Sequence, residues 1–73
     1  MTDLLLEPSG DPDDYEVIAD GQIVGRIVLL AGGWAWVIDN AFRQARHPAY
    51  GFEPTLEVAL LAFTRSWFGE NQP

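Results

Sequence analysis

The stretch YEVIADGQIVGRIVLL, residues 15–30, decides the fold. Residues 15–19 alternate in the manner of a β-strand, Asp20-Gly21 follows, and residues 22–30 form the return strand. Asp-Gly is a strong hairpin signal, because a type I′ turn needs positive φ at both central residues. With these two as the loop, Ala19 faces Gln22, Ile18 faces Ile23, Val17 faces Val24, Glu16 faces Gly25 and Tyr15 faces Arg26. Alternation then sorts the side chains. Ile18, Ile23, Gly25, Ile27 and Leu29 share one face; Tyr15, Val17, Val24, Arg26 and Val28 share the other. Gly25 leaves a gap in its row for a large ring, with a Trp beneath the helix as the expected occupant. Tyr15 opposite Arg26 predicts a cross-strand cation–π contact.

Outward from the hairpin, Ala31-Gly32-Gly33 reads as a second turn and residues 34–38 as a third strand. Trp34, Trp36 and Ile38 lie on one side of it, Ala35 and Val37 on the other. Residues 39–53 read as irregular, with a short helical turn within 40–46, since Pro48, Gly51 and Pro54 forbid a long helix. Thr55 then reads as an N-cap, with Glu57 in the first turn where the helix dipole favours it. The helix should run over residues 56–68 and stop at Gly69. Leu56, Ala59, Leu60, Phe63 and Trp67 fall on one face, while Val58, Ala62, Arg65 and Ser66 point away.

Upstream, Pro8, Ser9, Gly10 and Pro12 break any periodicity, so residues 1–14 read as an acidic, partly flexible tail. Residues 15–73 make a single small domain. The expected fold is α+β: a three-stranded antiparallel β-meander followed by one C-terminal helix packed on one sheet face, β-β-β-α. One helix covers one face. The other stays rich in apolar side chains and is a dimer surface, a partner site, or ground covered by Leu4, Leu5 and Leu6.

The composition supports a single apolar core. Hydrophobic residues are 48% of the 73, three of them Trp, and cysteine is absent, so no disulfide or thiolate metal site contributes. Eleven carboxylates face four arginines and no lysine, for a net charge of −7. Seven of the eleven fall within the first twenty residues. Such a field repels nucleic acid, whose binding runs on phosphate neutralisation, and favours basic protein surfaces. Plain solubility is the simpler account of the same charge. No run approaches the ~18 apolar residues of a membrane span, and the short patch at residues 4–6 is no signal peptide. The expectation is a cytoplasmic protein with no membrane partner.

No catalytic constellation emerges. Hydrolysis by covalent catalysis needs a nucleophile with a base in reach. The chain has one histidine, His47, ahead of Pro48, and two serines, Ser9 and Ser66. Neither serine sits in a strand-to-helix elbow. Asp11, Asp13 and Asp14 invite a calcium-loop reading, but positions five, six and twelve from Asp11 are Tyr15, Glu16 and Gln22, where an acid or amide, a glycine and a glutamate are required. Neither Gly21 and Gly25 nor Gly32-Gly33 precedes a helix, so no phosphate loop forms. The expectation is no enzyme, no metal and no cofactor. Trp34 and Trp36 read as core residues rather than a base-stacking platform, because the charge opposes nucleic acid.

The acid cluster remains. Asp11, Asp13, Asp14, Glu16 and Asp20 are the candidate partner-binding residues. Carboxylates strung along an edge present a row of anions, much as phosphates do, to a partner's Arg and Lys. The functional expectation is a non-enzymatic acidic inhibitor or binding protein that occupies a basic, nucleic-acid-binding surface of a partner protein. The alternative is a small interaction or homodimerisation module using the uncovered apolar sheet face.

DYEVIADGQIVGRI, WAWVI and a helix ending AFTRSW are similar to a group of small proteobacterial proteins. These carry a D-Y-x-V-x-x-D-G-x-x-V-G-R-I hairpin, a W-x-W strand and an Ala-rich terminal helix with a late Trp. The resemblance runs from Asp14 to Trp67 and implies the β-β-β-α fold and no function. The chain departs from the group in a shorter turn at residues 31–33 and a more apolar helix. By type alone, a short, acidic, cysteine-free chain also resembles anti-CRISPR proteins, several of which imitate DNA. That resemblance implies a subunit of a CRISPR effector complex as partner and carries over no residue.

Overall fold

Two tight hairpins build the centre of the sheet. In the computed structural model, which describes residues 4–43 and 46–69, strand β2 (Asp14–Ala19) turns at Asp20-Gly21 into β3 (Gln22–Leu30). Asp20 and Gly21 have φ of 52° and 79°, as a type I′ turn requires. Ala31 (φ 48°) and Gly32 (φ 84°) repeat that geometry and lead into β4 (Gly33–Ile38).

The sheet has five strands, not three. Leu4–Pro8 forms β1, antiparallel to β2, with Leu6 opposite Val17 and Glu7 opposite Glu16. Tyr50–Glu53 forms β5, antiparallel to β4. The order is β1-β2-β3-β4-β5. Both added strands lie in stretches dense with breakers. Pro8 closes β1 at an edge, where no ladder donor is required. Pro48 and Pro54 bracket β5, and Gly51 within it leaves room for the Trp36 ring, which a β-carbon there would meet at 2.5 Å.

The central register also departs from the expected one. Ala19 pairs with Gln22 and Ile18 with Ile23, but Val17 pairs with Gly25 and Glu16 with Arg26. Val24 is the extra residue of a β-bulge, which turns Val24 and Gly25 together toward the interior. Every later residue of β3 therefore changes its cross-strand partner. Val17, Ala19, Val24 and Ile27 share the core face, and Arg26 moves to the outer face beside Glu16. Tyr15 stands opposite Ile27 and packs on Trp34, ring centroids 6.0 Å apart. The expected Tyr15–Arg26 contact is replaced by that pair.

The connection 39–49 contains a 3-10 turn, Asn40–Phe42. Helix α1 (Leu56–Trp67) follows, with the Thr55 hydroxyl accepting the Val58 N–H at 3.1 Å as N-cap. Gly69 (φ 76°) ends the helical course. The helix lies over the inner face, where Val17, Val24, Ile27, Trp36, Ile38, Ala59 and Phe63 are buried, with Leu4, Leu6, Trp34, Leu56, Leu60, Ala62 and Trp67 packed around them. The ring above Gly25 is Phe63, not a Trp. Ser66, expected to point away, is buried and donates its hydroxyl to the Pro48 carbonyl. Ala62 likewise packs inward.

Candidate functional site

Strand alternation places Leu5 and Glu7 of β1, Asp14, Glu16 and Ile18 of β2, and Ile23, Arg26, Val28 and Leu30 of β3 on the outer face. Ala35 and Val37 of β4 and Tyr50 and Phe52 of β5 complete it. No described helix covers this face. One cross-strand row reads Glu7, Glu16, Arg26, Val37, Tyr50. The next reads Asp14, Val28, Ala35, Phe52. Over β1 to β3 the face carries a charged half, Glu7, Asp14, Glu16 and Arg26, bordered by an apolar row of Leu5, Ile18 and Ile23 at the hairpin end. Over β3 to β5 lies an apolar half.

The charged half is organised by Arg26. Its guanidinium lies 3.2 Å from Asp14 Oδ2 and 3.8 Å from Glu16 Oε2. Glu7 stands across from Glu16 on the far side from Arg26, so two carboxylates face each other there.

Asp11 and Asp13 lie beside this half, in the exposed turn between β1 and β2. Asp11 Oδ1 accepts the Asp13 N–H at 3.0 Å, the Asp11 carbonyl accepts the Asp14 N–H at 3.0 Å, and the Asp13 carbonyl accepts the Leu29 N–H at 2.8 Å. Gly10 supplies the positive φ of 100° that the turn requires and that glycine adopts without steric cost. The turn is therefore tied to the end of β3 rather than loose.

Asp20 sits elsewhere. It is the hairpin apex at the other end of β2, six residues from Asp14 and so ~20 Å along the strand. There it borders a cleft of about 590 Å³ with Gln22, Val24, Phe42, Arg46 and Trp67. Of the five candidate acids, Asp14 and Glu16 share Arg26 on the sheet, Asp11 and Asp13 occupy the adjoining turn, and Asp20 lies apart at the far apex.

Two arginines outside this face, Arg43 and Arg46, bind the fold internally. Arg43 Nε donates to the Ile38 carbonyl at 2.9 Å. Arg46 donates to the carbonyls of Trp67 (3.1 Å) and Phe42 (3.2 Å), its guanidinium 3.7 Å from the Trp67 ring centroid. Among the described residues, both ion pairs belong to Arg26. The carboxylates of Glu7, Asp11 and Asp13 make no ion pair with another described residue.

The sequence pattern shows an uncovered apolar face but not β5, which adds Tyr50 and Phe52 to it. Tyr50 is 69% exposed, Phe52 58% and Leu30 53%. Phe52 lies over Gly33, where a β-carbon would meet its ring at 2.4 Å. The pairing of Trp36 with Gly51 across β4 and β5 is the signal in the sequence for that strand.

His47 is exposed in the 39–49 connection, Ser9 is exposed in the β1–β2 turn and Ser66 is buried on α1. The described residues bring together no group of three His, Cys, Asp or Glu side chains suited to a metal ion. Among them, no helix is long and apolar enough to cross a membrane. Compared with known proteins, the chain matches no family model, no curated protein and no solved structure.

Proposed function

We propose that this chain is a non-enzymatic binding protein that occupies a basic surface on a partner protein, of the kind that otherwise holds nucleic acid. One observation carries the reading. The net charge is −7 with all four arginines counted, and Arg43 and Arg46 bind backbone carbonyls and not the exposed carboxylates of Glu7, Asp11 and Asp13. The surface field stays anionic, which steers the chain toward cationic partners and away from nucleic acid itself. Asp11, Asp13, Asp14 and Glu16 form the acidic focus, beside Glu7, and Asp20 acts only in a contact long enough to reach the far end of β2. The manner of action resembles that of acidic anti-CRISPR proteins, and the place of action is the cytoplasm. A CRISPR effector subunit is one partner of the required chemistry.

The test is capture from bacterial lysate at low and high salt, followed by purification of what is captured. The expected partner is released by salt and loses its own nucleic-acid binding when this chain is added. A partner whose nucleic-acid binding is unaffected overturns the reading.

A second reading, an interaction module working through the open sheet face, is favoured by the exposure of Tyr50, Phe52 and Leu30. Its simplest form is a homodimer, measured by light scattering across a concentration series.

A further inference from the structure

We infer that the outer sheet face is the docking surface, and that its occupant is a basic partner segment carrying an apolar anchor, not a second copy of this chain. The inference rests on the binding-protein reading above and names its surface and the chemistry of its partner.

Two properties of the face point this way together. Val28, Leu30, Ala35, Val37, Tyr50 and Phe52 form a contiguous apolar patch, and patches of that kind on a soluble chain mark interaction sites. Tyr50 and Phe52 are aromatic side chains of the type that anchors interfaces. Immediately beside them the face carries Glu7, Asp14 and Glu16 against Arg26 alone, three negative charges to one positive, or −2.

Charge decides between occupants. A second copy would bring its own −2 against this −2, setting six carboxylates against two guanidiniums in one interface. Desolvating charges without matched partners opposes association, and it would offset much of what the apolar half contributes. A segment bearing Arg or Lys meets Glu7, and Glu16 from the side away from Arg26, without that conflict, while Arg26 keeps its closer acid Asp14. The two halves set a distance. Glu16 on β2 and Tyr50 on β5 lie in one cross-strand row three strands apart, ~14 Å at the usual spacing. A partner helix covers that span in about ten residues.

The experiment uses the whole chain, isotopically labelled, and three synthetic helical peptides. The first has an Arg cluster at one end and Leu and Phe anchors about ten residues away. The second replaces the anchors by Ser, and the third replaces Arg by Glu. The expected result is amide shifts at Glu7, Glu16, Val37, Tyr50 and Phe52 with the first peptide. Its affinity should exceed that of the second by about tenfold or more, and the third should not bind. The double variant Tyr50→Ser, Phe52→Ser should reduce the preference between the first two peptides to near unity. If that variant fails to fold, the shift map of the unaltered chain decides between the outcomes.

Equal affinity for the first two peptides, with shifts confined to residues 11–13, overturns this surface and leaves the acidic binding protein standing. No binding of either basic peptide overturns both. Sheet-face shifts that appear on concentrating the chain alone, with a doubled mass, make the occupant a second copy and overturn the inference.

Discussion

A β-carbon on Gly25 would lie 2.4 Å from the Phe63 ring and 2.4 Å from the Val37 carbonyl oxygen. The glycine is thus the point where helix, bulge and neighbouring strand meet at closest approach. Gly25→Ala is expected to destabilise the fold by about 2–3 kcal/mol, because one of the two obstacles is backbone and cannot rotate away. Urea unfolding measures the change. A loss below about 0.5 kcal/mol would mean that the ring and strand shift freely and the close approach is not needed.

That contact also shows how far the sequence is legible. The Asp20-Gly21 turn, the Thr55 cap and the helix stripe through Ala59 and Phe63 follow from local chemistry, and each is present. Gly25 correctly announced a ring above it. The bulge at Val24 was not announced, because it depends on Phe63 pressing on Gly25 from a helix nearly forty residues later. Once the register slips by one, every facing assignment beyond it changes. For the same reason Val17 and Val24, which simple alternation puts on a common face with Arg26, are interior residues. Strands β1 and β5 are short and flanked by proline, and tertiary pairing rather than propensity makes them strands. The acids near the amino end were legible as candidates. Their division between the turn, the Arg26 cluster and the hairpin apex was not, since it is the five-stranded sheet that separates them.

Ala31 holds a φ of 48° in the second hairpin turn. A β-carbon in the left-handed region costs roughly 1–2 kcal/mol. Ala31 is exposed, so a change there loses no packing. Ala31→Gly is expected to stabilise the protein by about 0.5–1 kcal/mol after the added freedom of the unfolded chain is allowed for. Thermal unfolding checks the sign. A destabilised variant would show that the turn does not need the left-handed conformation at this position.

Arg46 ties the 39–49 connection to the end of the helix, stacking on Trp67 while donating to its carbonyl. A lysine keeps the charge but loses the planar fork and the stacking surface. Arg46→Lys is expected to destabilise by about 1–2 kcal/mol. It should move the Trp67 indole resonance and leave those of Trp34 and Trp36 in place. An unchanged Trp67 resonance would rule out the stacked arrangement.

Glu7 and Glu16 face each other across β1 and β2, while Arg26 flanks Glu16 from the other side. Like charges directly opposite on a sheet are destabilising, and opposite charges stabilise by about 0.2–1 kcal/mol. Glu7→Lys is therefore expected to raise folding stability by a few tenths of a kcal/mol, ~0.3–0.5 at low ionic strength. Added salt should erase the gain, because both side chains border solvent. The same change removes an anion from the face proposed to meet a basic partner, so affinity for an Arg-bearing peptide should fall while the fold becomes firmer. Opposite movement of stability and affinity separates a contact residue from a structural one. If Glu7→Lys weakened both, the loss of binding would follow from the loss of structure, and Glu7 would have no part in the interface.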